Sequence, residues 1–134
     1  MGAEGRRRTV EDRERATDRL RACMDADGPY RDDALWDALI ALQGETFHTA
    51  KGLAFTYQIR ERRDGAVGGE MFISRKEKSI TQSTVFVAFH RALELGGDVD
   101  GPKRLGTFGA SYLYPVFIRL GVIRRREETQ ITLF

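Results

Sequence analysis

The stretch Ile73–Leu95, ISRKEKSITQSTVFVAFHRALEL, decides how the chain is divided. It begins with strand-like residues, passes through the cations Arg75, Lys76 and Lys78, and becomes an amphipathic helix. Ser79 and Gln82 stand at the Ser-x-x-Gln spacing of a capping box, so the sequence predicts a helix from Ile80 to Leu95. Val85, Ala88, Phe89 and Ala92 share one face of that helix, and Gly96-Gly97 ends it. Cations beside a helix start favour an anion, because the first N–H groups are unpaired and the dipole is positive there. A nucleic-acid phosphate is the first such anion to consider.

Upstream, two helices are predicted. Thr9 caps one through about Ala26, with Glu11 and Asp12 in its first turn. The other starts at Asp32 or Asp33 and carries Leu35, Trp36, Leu39, Ile40 and Leu42 at helical spacing, with Gly44 past its end. From Thr46 the period changes. Phe47–Lys51, Leu53–Arg60 and Glu70–Arg75 read as a three-stranded antiparallel meander, with a turn at Gly52 and a longer tip at Asp64-Gly65 and Gly68-Gly69. Downstream, the Gly-rich loop from Asp98 leads to a helix over Ser111–Leu120, with Leu113, Phe117 and Leu120 buried and Gly121 as its cap. Pro115 keeps the start of that helix close to Ser111. The last segment reads as strand, turn at Glu127-Glu128, strand. The expected class is α+β in one domain over 1–134, with 1–8 as a disordered arm.

Composition narrows the function. Residues 1–44 hold 8 basic and 10 acidic side chains, whereas residues 45–126 hold 14 basic and 8 acidic. The basic excess therefore sits where a nucleic-acid surface would lie. No apolar run is long enough to span a bilayer and no secretory signal opens the chain, so no membrane partner and a cytoplasmic location are expected. Cys23 is the only cysteine, which excludes an internal disulfide and a cysteine-based zinc motif. His48 and His90 have no metal-pair spacing, and the loop around Lys103 matches neither the Walker nor the dinucleotide fingerprint. Neither an enzyme, a cofactor nor a metal is expected. Most of the ten aromatic residues between Phe47 and Phe117 read as core.

The order helix, connector, helix, Gly, short basic hairpin resembles a winged helix-turn-helix over Ser79–Phe134. Leu120, Gly121, Val122 and Ile123, followed by Arg124, Arg125 and Arg126, are similar to the end of a recognition helix and its wing in GntR and MarR regulators. The resemblance implies non-enzymatic binding of duplex DNA, in transcriptional control or on a mobile element. Ser111, Tyr112 and Tyr114 would read bases. Lys103, Arg104, Arg119 and Arg124–Arg126 would hold phosphates, with Arg75, Lys76 and Lys78 as auxiliary contacts. A competing resemblance makes Ile80–Leu95 the reader, because Thr81-Gln82-Ser83-Thr84-Val85 is similar to repressor recognition helices. The strand character before it ranks it second. A homodimer through the amino-terminal helices fits a regulator of this size. The rival class is a protein–protein module, such as a small phage-type inhibitor of a nucleic-acid enzyme. Single-strand or RNA binding through Phe55 and Tyr57 of the meander is a third reading.

Overall fold

A computed structural model describes residues 9–26, 31–61, 69–75 and 79–124. The chain is an α+β protein with helices α1 (Val10–Ala26), α2 (Arg31–Ala41), α3 (Gln82–Glu94) and α4 (Ala110–Leu120) among those residues. Its strands are β1 (Phe47–His48), β2 (Ala54–Phe55), β3 (Tyr57–Glu61), β4 (Gly69–Ile73) and β5 (Ser79–Thr81).

Local signals account for the first two helices. Thr9 Oγ1 accepts from the Asp12 amide at 3.0 Å, and Asp12 returns a bond to the Thr9 amide at 3.3 Å. That reciprocal pair satisfies two amides at the start of α1. Helix α1 is mostly polar and buries Leu20 and Thr17 against α2, which contributes Ala34, Leu35, Ala38 and Leu39. Trp36 is half-buried and meets the Phe86 ring edge-on, with centroids 5.9 Å apart.

The sheets depart from the expected meander. Phe47–His48 and Ala54–Phe55 form their own two-stranded hairpin, turned at Gly52 (φ +89°). The three-stranded antiparallel sheet is β3-β4-β5, with Tyr57 opposite Ile73 and Met71 opposite Ile80. Its third strand is Ser79–Thr81, the segment expected to open the helix. Ile80 explains this: it is 1% exposed and faces the core, while Ser79 and Thr81 are half-buried on either side of it. Ser79 therefore does not cap. Its hydroxyl donates to Glu70 at 2.9 Å, and Thr81 is the N-cap of α3, with Oγ1 accepting from the Thr84 amide at 3.3 Å.

One apolar core joins these elements, running from Leu20 to Ile123 and centred on Phe89, Phe117, Leu113, Met71 and Tyr57. The connector between α3 and α4 holds a single 3-10 turn, Pro102–Leu105, in place of a full middle helix. Helix α4 accommodates Pro115 in its second turn, where the missing N–H leaves the Ser111 carbonyl without its helical donor.

Candidate nucleic-acid interface

Helix α4 carries four of the predicted contacts, and its packing separates them. Leu113, Val116, Phe117 and Leu120 are buried, and the other residues are half-buried except Ser111. The Tyr112 ring meets Phe55 edge-on at 5.0 Å, and the Tyr114 hydroxyl donates to the Val99 carbonyl at 3.1 Å. Arg119 is tied to Glu45 through Nε at 3.0 Å. A recognition helix must leave one long face open to enter the major groove. Here β1 and the loop after α2 lie against α4, and Ser111 is the one residue of that helix that is exposed among those described. Tyr112, Tyr114 and Arg119 hold the fold together. Ser111 stays exposed.

The first turn of α4 has a definite neighbour. Its N-cap, Gly109, has φ +77° and presses on Ile80: a Cβ built there would lie 2.3 Å from Ile80 Cδ1. Ile80 immediately precedes the N-cap of α3, so the two helices start side by side. Gln82 is half-buried and Ser83 exposed at the start of α3. Two adjacent positive dipole ends make this end of the molecule favour an anion.

Three exposed cations sit on connections that adjoin these elements. Arg75, in the turn after β4, donates to the Ala54 carbonyl at 3.4 Å, which sets it beside the β1–β2 hairpin. Lys51 lies in the loop of that hairpin, and Lys103 on the 3-10 turn that packs against α3 and α4. None of the three pairs with a carboxylate among the described residues. Lys51 is not among the phosphate contacts expected from the sequence, where it stands only near the Phe55 and Tyr57 strand face.

The other predicted cations are tied down, Arg104 on the same 3-10 turn as Lys103. Arg104 pairs with Asp100 at 3.6 Å, and its carbonyl accepts from Arg91 Nε at 3.3 Å. Arg91 also pairs with Glu94 at 3.7 Å. Arg124 is pinned by its amide to the Gly97 carbonyl at 3.0 Å, beyond the carboxy-terminal end of α3. Helix α3 is about 20 Å long at 1.5 Å per residue, so Arg124 lies roughly that far from the paired helix starts. Lys76, Lys78, Arg125, Arg126 and the proposed wing hairpin lie outside the described residues.

The other aromatic and histidine residues have plain roles. Phe55 and Tyr57 are 2% and 1% exposed, which removes them as a stacking face. Tyr57 donates to the Leu39 carbonyl, and burial, with the Glu45 charge second, holds its phenol well above the ordinary tyrosine range. His90 bonds Asp32 at 2.7 Å and joins α3 to α2. Phe108 is not core: it is 47% exposed. Among the described residues no cluster of His, Cys, Asp and Glu is placed to hold a metal, and no helix is long and apolar enough to cross a membrane.

Compared with family models, curated proteins and solved structures, the chain matches none.

Proposed function

We propose that the chain is a non-enzymatic nucleic-acid-binding protein that takes the phosphates of duplex DNA on the end where α3 and α4 begin. The contact between Ile80 and Gly109 carries this reading, because it sets the starts of α3 and α4 together. Backbone amides, Ser83 and Ser111 would donate to phosphate oxygens, and Arg75, Lys51 and Lys103 would supply charge. Arg124 would meet the backbone at a second place, about one α3 length away. Such contacts position a protein on DNA without reading sequence, so transcriptional control would draw its specificity from elsewhere.

A salt titration of random-sequence duplex, read by fluorescence anisotropy, tests the proposal. Affinity should fall with a log–log slope of about −0.9 for each phosphate engaged, and Arg75→Ala or Lys103→Ala should each reduce the slope by about one. Absence of binding at about 50 mM salt and micromolar protein would sink the DNA reading.

The second reading is a protein-interaction module. Val87 favours it, being 58% exposed in the middle of the outer face of α3, between Ser83 and the polar His90, Arg91 and Glu94. A partner protein on that face would leave no affinity for free DNA.

A further inference from the structure

A cleft of about 300 Å³ opens where α2 faces the sheet and the start of α3. Trp36 and Ile40 of α2, with Gln43 just beyond it, form one wall. Ile59 and Gly69 of the sheet and Gln82, the first residue of α3, form the other. The volume is at the lower end of the range of ligand clefts, about 300–1,000 Å³, and suits a single ring system. Its walls are fixed. Gln43 Nε2 donates to the Ile40 carbonyl at 3.1 Å and its Oε1 accepts from the Ile59 amide at 2.7 Å, so this amide is engaged in the fold. The Trp36 indole lies against Gly69: a Cβ there would stand 3.0 Å from Cζ2 and 3.7 Å from Cε2. Nε1 is bonded to Cε2 and shares that edge.

Two hydrogen-bonding groups on the cleft are unmatched. Among the described residues, neither the Trp36 Nε1–H nor the side-chain amide of Gln82 has a partner, although both residues are half-buried. Arg60 is the one charged residue of the lining, and its guanidinium lies on the other face of the sheet. There Nη2 donates to Gln58 at 3.1 Å and Cζ stands 4.9 Å from the centroid of the Phe72 ring. The cleft therefore suits an uncharged ring. That ring needs an acceptor for the indole N–H, and a donor beside an acceptor for the Gln82 amide. We propose that the cleft binds a nucleobase, and a purine before a pyrimidine. Adenine meets all three needs: N6 and N7 pair with a Gln amide, and N1 and N3 remain as acceptors. The wider purine ring also covers more of Ile40 and Ile59. This site stands apart from the phosphate reading above.

Trp36 is the only tryptophan of the chain, so its fluorescence reports on the cleft directly. Titration of the full chain with adenosine should give a saturable change in that emission, half-complete below about 1 mM. Uridine should need a higher concentration, and ribose should give no change. Gln82→Leu keeps the bulk of the side chain without the amide and should weaken adenosine by about 5- to 150-fold, the loss expected for one bidentate pair. Gln58→Leu, on the other face of the sheet, should leave the titration as it is, and thermal melts check that both variants fold. A deoxyadenosine oligonucleotide distinguishes the source of the base: displacement of adenosine places it in a nucleic acid, and no displacement makes the ligand a free nucleoside. The proposal is overturned by no saturable change up to about 5 mM adenosine, by a change that ribose reproduces, or by one that Gln82→Leu leaves intact. None of these outcomes depends on whether the chain binds duplex DNA.

Discussion

Arg119 reaches back 74 positions to Glu45 and donates from Nε and Nη2 to its two carboxylate oxygens, at 3.0 and 3.3 Å. Arg13 Nη1 stands 3.3 Å from the same carboxylate, so α1, α4 and the loop after α2 share one anion. Arg13 also donates to the Ala41 and Gln43 carbonyls at 3.2 Å. All three charged side chains are only 23–32% exposed, between the surface regime and the fully buried one.

Arg119→Met should therefore cost about 1–3 kcal/mol in a urea melt, more than a surface pair and less than a fully buried one. Its slope of DNA affinity against salt should equal that of the wild type. A lower slope with unchanged stability would return Arg119 to the DNA surface.

Gly109 and Gly106 both have positive φ, but only Gly109 has a neighbour in the way. Gly106→Ala should cost only the left-handed penalty of about 1–2 kcal/mol. Gly109→Ala should cost that and the collision with Ile80 besides, about 2–4 kcal/mol in all. Adding Ile80→Val to Gly109→Ala should recover some of the difference, read as a non-additive term in a double-mutant cycle. Strict additivity would mean that the two residues do not touch.

Burial raises the Tyr57 phenol above its ordinary value of 10.0, so the fold binds that proton more tightly than the unfolded chain does. The stability it contributes is complete below pH 10 and is lost as pH rises through the folded-state value. Tyr57→Phe removes the group that titrates, so its loss of stability as pH rises above 10.0 should be shallower in alkaline melts. Phenolate absorbance from Tyr57 should appear only as the chain unfolds.

The start of α1 responds at the other end of the scale. Hydrogen bonds from the Thr9 amide and hydroxyl, with the Arg15 charge a lesser cause, hold the Asp12 carboxyl below its usual 3.8. A lowered carboxyl contributes stability above pH 3.8, and that contribution is lost as pH falls through the folded-state value. Asp12→Asn should flatten the acid limb of the stability profile. Thr9→Ala should cost about 1 kcal/mol at neutral pH through the lost cap.

The helices were legible because their signals are local. Thr9 and Asp12 lie three residues apart, and the buried stripe Leu113, Phe117 and Leu120 repeats at the helical period. Ser79–Thr81 was misread because three residues that end a turn and precede a helix satisfy both a capping pattern and a strand. Pairing of Ile80 with Met71 chose the strand and moved the cap to Thr81. Most of the aromatic residues are core as their type suggests, whereas Phe108 is 47% exposed, and residue type alone does not distinguish it from the others.

The sequence by itself determined the α+β class, the helices and the confinement of basic excess to residues 45–126, since periodicity, caps and charge are properties of neighbouring residues. Only the tertiary structure decided which surface is open. Tyr112 is engaged by Phe55, Arg119 by Glu45 and Gly109 by Ile80, each contact joining residues dozens of positions apart. A helix pattern fixes which side faces inward, but coverage of the other side depends on where the rest of the chain comes to lie. On α4 that coverage leaves Ser111 exposed, which places the candidate interface at the beginning of the helix.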